Sequence, residues 1–452
     1  MPYPATVMPP PSQWTGVAKH VSVADYEPEG SGVLMRLYYP TSKRPSNGVF
    51  SRPRYYARLD YCHGLLHFLI NFPKQSWIVR LLATAFSIFT YCTAYLVDTI
   101  PASIDAPPCV FGADDTSPNR IPVAVFSHGM AGSRNMHAAL CTSLASQGFL
   151  VAALEHRDGT ASCAALMKDD GKDGGGAGSC CAGGDALGIK YQPFVHHQPH
   201  MHTDDVWAWR RKQLATRTAE FNTAIDALLA AADGRGAPRN IFPSSRFDAS
   251  TLNGAVDVSR LVGIGHSFGG STVVAATATN KRIRRAVLLD PATKIMGDAA
   301  HAASVPTLVI NSHKWPEDMQ PLYSNATAAW LEAEVAFVLH QDFSDQSDLR
   351  LPWTMGFINW AEGRRRKDRV DLHRLYDFKL SLMHLFFDEV RCAEKSGGDA
   401  DALVATLHLG ATELVSRYRG ELGVTLKSSF SSAGNSKPLI SPENIVLTSA
   451  EP

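Results

Sequence analysis

The stretch Leu261–Ser271, LVGIGHSFGGS, restricts what this chain can fold into more than any other. Leu261, Val262 and Ile264 predict the end of a buried strand, and Ser271–Ala276 predicts a helix. Between them, Gly265-His266-Ser267-Phe268-Gly269 fits the pattern G-x-S-x-G. A strand that turns sharply into a helix at a serine is the setting of a nucleophile elbow. The serine at the tip sits in a strained backbone conformation, and small neighbours two residues away on either side let strand and helix approach closely. The helix N-terminus then directs partial positive charge at the reacting centre. A Gly-rich turn without chemistry shares the five-residue pattern, so partner groups elsewhere in the chain must decide between the two.

A serine hydroxyl needs a general base, and the base needs a carboxylate to orient it. Both follow in the required order. The short apolar strand Ala286–Leu289 ends in Asp290, and Val335–Leu339 reads as a strand ending in His340. Carboxyl ends of strands are where open α/β sheets place their sites. Rivals exist for each role. Glu317 and Asp318 follow another predicted strand at 305–310, and His313 ends it.

Around these residues runs a regular alternation. Strands are predicted at 31–41, 121–129 (ending in a turn) and 149–158, and helices at 133–148 and 205–232, before the serine, acid and histidine strands; helices at 371–393 and 401–420 follow. Such alternation predicts an α/β domain with a mostly parallel central sheet flanked by helices. Residues 1–30 read as an N-terminal arm, 31–427 as one catalytic domain, and 428–452 as a polar tail. Within the domain, 168–188 is a Gly-rich insertion expected to be disordered.

With 43 basic and 43 acidic residues the net charge is zero, so bulk electrostatics do not point to nucleic acid as a partner. The eight cysteines show no C-x-x-C spacing, and the start of the chain lacks a charged and then apolar leader. Pro2 stands where myristoylation needs glycine. A cytoplasmic setting with free thiols is expected, with peripheral membrane association as an addition. The His-rich run at 196–202 (His196, His197, His200, His202) lacks a carboxylate pattern such as H-E-x-x-H and reads as loop, with no metal expected.

Residues 64–100 are the most apolar part of the chain. Residues 77–97 could span a bilayer if helical, but Arg80 and the stripe Thr84, Ser87, Thr90 and Thr93 argue against a span. An interfacial helix and a buried helix both fit; docking on a membrane surface is the expectation. Arg52, Arg54, Arg58 and Lys74 are placed to meet lipid phosphates.

Four blocks together resemble the platelet-activating factor acetylhydrolases, α/β-hydrolase-fold phospholipases that cleave short or oxidised sn-2 acyl chains. They are PVAVFSHGMAGSRNMHAALCTSLASQGFLVAALEHRDGTAS, LVGIGHSFGGSTV, AVLLDPATKIMG and VLHQDFSD, within roughly residues 30–395. The resemblance implies Ser267 as nucleophile, Asp290 as acid and His340 as base. It implies an oxyanion hole from the backbone N–H groups of Met130 and Phe268. Phospholipid is the implied substrate, a membrane or lipoprotein surface the implied partner, and neither cofactor nor calcium is needed. His128 and His266 are expected to shape the site, and Glu155, His156, Arg157 and Asp158 of EHRDG to support it from behind. The insertion, the His-rich run and the tail depart from the family pattern.

Overall fold

The computed structural model describes residues 20–46, 51–56, 58–69, 71, 74–97, 99–109, 120–167, 188–197, 201–234, 236–297, 302–313, 315, 318–336, 338–344, 372–397, 400–418 and 422–429. The chain divides into two units between Ser259 and Arg260.

In the first unit the strands are β1 (His20–Tyr26), β2 (Leu34–Thr41), β3 (Ser103–Ile104), β4 (Ile121–Ser127) and β5 (Leu150–Glu155). They lie in the order β4-β5-β2-β1-β3. β4 and β5 run parallel, whereas β2 is antiparallel to both β5 and β1. Helix α1 (Leu59–Leu69) packs against α2 (Trp77–Val97), α3 (Ala138–Ser146) against β2 and β5, and α4 (Thr203–Ala232) against β4 and β5. A separate antiparallel pair, β6 (Cys163–Met167) and β7 (Ile189–Pro193), lies under α1. The approach there is so close that a Cβ on Gly64 would fall 1.8 Å from the Ser162 carbonyl oxygen.

Strand β8 (Val256–His266) carries the chain into the second unit. There follow α5 (Phe268–Thr279), β9 (Arg285–Leu289), β10 (Thr307–Ser312), the short α6 (Gln320–Ser324), β11 (Trp330–Val335), α7 (Leu372–Ser396), α8 (Ala400–Arg417) and β12 (Val424–Ser429). Strands β8 to β11 are parallel neighbours in chain order, and β12 closes the edge antiparallel to β11. Parallel strands covered on both faces need apolar side chains on both, and every residue of β9 and β10 is buried. The mostly parallel sheet flanked by helices is therefore the one expected.

Three boundaries differ from the sequence reading. The arm does not reach residue 30, because His20–Tyr26 pairs with β2 along its whole length. The polar tail does not begin at 428, since Ser428 and Ser429 belong to β12. The histidine strand ends at Val335, not Leu339. Its polar members misled the reading. Glu332 is buried and accepts a hydrogen bond from Asn311 Nδ2 at 2.9 Å, while Lys427 of β12 lies 3.7 Å from Glu332 and 3.2 Å from Glu334. Residues 168–187 of the insertion, His200 and Glu317 lie outside the described residues.

Candidate active site

Parallel register sets the site out before any side chain is considered. His266 pairs with Leu289 and Leu289 with Ile310, so Ser267 and Asp290 are the next residues on adjacent strand ends. The main chain continues that alignment: Ser267 N–H donates to the Leu289 carbonyl at 2.9 Å and Asp290 N–H to that of Ile310 at 3.0 Å.

Ser267 has φ 55° and ψ −120° and caps the N-terminus of α5. A serine rarely adopts such a conformation, and the neighbours explain how it is held. A Cβ on Gly265 would meet the Gly269 carbonyl oxygen at 2.2 Å, so only glycine lets strand and helix close up there. On the helix side, Gly270 abuts Pro291, whose Cβ would lie 2.7 Å from an added Cβ. Phe268 is buried and opens α5, in the first turn whose N–H groups have no acceptor earlier in the helix.

Asp290 is also in the left-handed region, with φ 43°, and is fully buried. Its carboxylate takes three hydrogen bonds. Ser312 N–H donates to Oδ1 at 2.7 Å, Ser312 Oγ–H to Oδ2 at 2.8 Å, and His340 Nδ1–H to Oδ2 at 3.1 Å. An imidazole that donates through Nδ1 keeps Nε2 as the acceptor, the tautomer a general base requires. His340 begins a 3₁₀ turn, His340–Phe343, anchored by the buried Phe343 and by Asp342, which accepts the Leu339 N–H at 2.8 Å. Trp315 stacks on the His340 ring at 4.0 Å between centroids and 11° between planes, and the His266 ring lies at 4.5 Å. His266 Nε2–H donates to the His340 carbonyl at 3.1 Å.

The rivals stand elsewhere. His313 bonds Glu334 at 2.5 Å and is largely exposed. Asp318 accepts the Gln320 N–H at the start of α6. Sequence reasoning missed Ser312 and Trp315, which carry no motif of their own; their proximity to Asp290 and His340 arises from strand pairing.

In the first unit, Met130 lies in the turn after β4. Ala131, with φ 56°, donates its N–H to the Thr160 carbonyl at 2.7 Å. His128 Nδ1–H donates to the Gly129 carbonyl at 2.7 Å, and Arg217 of α4 donates to the His128 carbonyl at 2.6 Å. The EHRDG residues form a buried network around this turn. Glu155 accepts from Tyr61, from the Ala165 N–H at 2.8 Å and from Arg134. His156 Nδ1 bonds Glu220 at 2.6 Å, and its Nε2 bonds Ser127 Oγ at 2.8 Å. Arg157 grips Glu27 through both terminal nitrogens at 2.8 Å, and Asp158 pairs with the fully buried Arg217 at 3.0 Å. Of the His-rich run, His196 bonds the His67 carbonyl at 3.0 Å, and His202 precedes α4.

Helix α2 is built inside out. Ala83 and Ser87 face inward, and Ser87 lies 3.4 Å from His63 of α1. Leu82, at 64% exposure, faces solvent with Trp77, Ile78, Leu81, Ile88 and Phe89. The buried-helix reading of 77–97 does not survive this exposure. No helix among the described residues is long and apolar enough to cross a membrane.

Comparison with known proteins identifies the fold and the family. A ferulic acid esterase from Streptomyces cinnamoneus superposes with a TM-score of 0.52 at 17% identity, covering 84% of this chain and 92% of that one, which establishes the α/β-hydrolase fold. The platelet-activating factor acetylhydrolase of Gallus gallus is 33% identical over 233 residues, covering 50% of this chain and 53% of that one. That of Canis lupus familiaris is 28% identical over 320 residues, covering 70% and 63%. The chain thus spans between half and two thirds of the length of these relatives. The family model described as platelet-activating factor acetylhydrolase, isoform II, matches residues 22–345, and the chain belongs to that family.

Proposed function

We propose that the chain is a serine esterase that hydrolyses the sn-2 ester of platelet-activating factor and of phospholipids with short or oxidised sn-2 chains. The observation that carries the reading is the Asp290–His340 hydrogen bond beside a strained serine at the tip of a strand-to-helix turn. His340 Nε2 takes the Ser267 proton as Oγ attacks the ester carbonyl. The tetrahedral oxyanion is met by the backbone N–H of Phe268 at the start of α5. His340 then returns the proton to the departing lysophospholipid oxygen, and water, deprotonated by the same imidazole, releases the acyl group. Asp290 holds the tautomer and stabilises the imidazolium without taking the proton.

The outward apolar face of α2 supports docking on a phospholipid surface. Each fully buried large apolar side chain contributes about 1.5–3 kcal/mol, and an interfacial side chain, only partly buried, contributes less. Reversible attachment is the consequence, with Arg80 at the polar edge.

A panel of phospholipids graded in sn-2 length, from acetyl to long unoxidised chains, tests the substrate class. The expected result is a kcat/KM that falls steeply with length. Equal rates for simple carboxylic esters and long-chain lipids would make the chain a general carboxylesterase or lipase instead.

A further inference from the structure

The strand that supplied the rival acid and rival base has another part to play. Its last residue, Ser312, is buried and gives Asp290 two of the three hydrogen bonds that the carboxylate accepts. Three residues on, Trp315 N–H donates back to the Ser312 carbonyl at 3.0 Å, which turns the chain over the site. The Trp315 indole Nε1–H donates to the carbonyl of Pro291, the residue after the acid, at 3.0 Å. Its ring face lies flat on His340. We propose that Ser312 and Trp315 are positioning residues for ester hydrolysis, one fixing the Asp290 carboxylate and the other the His340 ring, so that a single turn after β10 sets acid and base in register.

The need for such a device follows from the surroundings of His340. Its side chain is 31% exposed and sits on a one-turn 3₁₀ segment, joined to Asp290 by one hydrogen bond. Rotation about the Cβ–Cγ bond would break that bond and turn Nε2 away from its task. A flat indole at 4.0 Å and the tilted His266 ring at 4.5 Å oppose that rotation. The indole face also attracts a cation more than a neutral ring. It therefore favours the imidazolium present in the transition state over the imidazole of the resting enzyme, and such a difference acts on kcat. Among the described residues, the charged and titratable groups at His340 are Asp290 at the end of β9, His266 at the end of β8 and Asp342 on its own turn. None of them supplies this face.

The proposal rests on the triad reading, and the experiment separates the two. Trp315→Leu, Trp315→Phe and Ser312→Ala are compared with Ser267→Ala and Asp290→Asn on a water-soluble short-chain ester, with thermal unfolding measured alongside. Displacing a catalytic group by about 1 Å costs on the order of a hundredfold, so Trp315→Leu is expected to lower kcat by about 10- to 100-fold with KM little changed. Trp315→Phe, which restores a flat face without the N–H, is expected to recover most of that loss. Ser312→Ala keeps the backbone donor and is expected to lose about tenfold or less. A Trp315→Leu enzyme with wild-type kcat, while Ser267→Ala is inactive, overturns the positioning role and leaves the triad standing. So does a change confined to KM, which would make Trp315 a substrate contact, or a loss no larger than the unfolded fraction. Wild-type activity in Ser267→Ala and Asp290→Asn would overturn the triad itself.

Discussion

Each unit of the molecule contains a carboxylate, a histidine and a serine in one neighbourhood. In the second unit these are Asp290, His340 and Ser267; in the first they are Glu220, His156 and Ser127. The first unit has the shorter carboxylate–imidazole bond, 2.6 Å against 3.1 Å, and its imidazole also bonds the hydroxyl at 2.8 Å. Yet Ser127 and His156 are sealed from solvent, and Ser127 is the last residue of a regular strand. Burial, reinforced by the Arg217 charge, pushes His156 well below the usual histidine range, so it resists the proton a base must accept. Burial likewise pushes Glu220 up to about 7 against the hydrogen bond from Arg157 N–H and the pull of Arg217. The pair near Ser267 has a partly exposed imidazole and a serine forced out of the strand. What separates the proposed catalytic constellation from the buried one is exposure of the imidazole and backbone strain at the serine, not the residue set.

The largest expected difference between the two is at the serines. Ser267→Ala should lower kcat by about 10^5- to 10^6-fold. Ser127→Ala should leave kcat within tenfold and instead cost about 1–3 kcal/mol of stability, because His156 Nε2 loses its buried partner. Comparable losses of kcat in both, measured with a soluble ester, would erase the distinction. Next come the carboxylates. Asp290→Asn should lower kcat by about 10^3- to 10^4-fold, far more than Asp318→Asn or Glu220→Gln. Strong inactivation by Asp318→Asn would move the acid to the later loop.

A smaller effect tests whether only the accessible site depends on a surface. Phe86→Ser with Phe89→Ser should cut sedimentation with phospholipid vesicles and slow hydrolysis of vesicle lipid by about tenfold, while a soluble ester is turned over unchanged. Equal losses on both substrates would place α2 in the folding core. The smallest effect is electrostatic. Between its unfolded value of 4.5 and about 7, folded Glu220 holds a proton that the unfolded chain has released, so its contribution to stability falls as pH rises through that window. His156 acts oppositely, since below 6.5 the unfolded chain takes a proton that the folded one refuses. Glu220→Gln should therefore steepen the rise in stability between pH 5 and 7 in urea titrations. An unchanged slope would mean that Glu220 is ionised throughout.

The elbow was legible in sequence because its cause is local: Gly265 must clear the Gly269 carbonyl four residues away. Asp290 was legible as the polar residue ending an apolar strand. His340 was identified on a misplaced strand, since an apolar run at 335–339 hid the true strand, whose glutamates face Lys427. β12 went unseen because an edge strand with one half-exposed face resembles a tail, and β1 because its polar members Ser22 and Asp25 interrupt the apolar run. Ser312, Trp315 and Glu220 could not be found, as their partners lie 22, 25 and 64 residues distant and only pairing brings them together. The α2 segment was legible as apolar, but not that its small and polar residues would point inward.

Ser267 and Asp290, the proposed nucleophile and acid, share one further property: both are non-glycine residues held at positive φ, 55° and 43°. Selection for stability alone would treat the two differently. Ser267→Gly would relieve strain on the order of 1–3 kcal/mol, set against about 1 kcal/mol of added chain entropy in the unfolded state. Asp290→Gly would also strand the buried donors of Ser312 and His340, at about 1–3 kcal/mol each. A population of variants screened only for resistance to heat should therefore accumulate Ser267→Gly and keep Asp290.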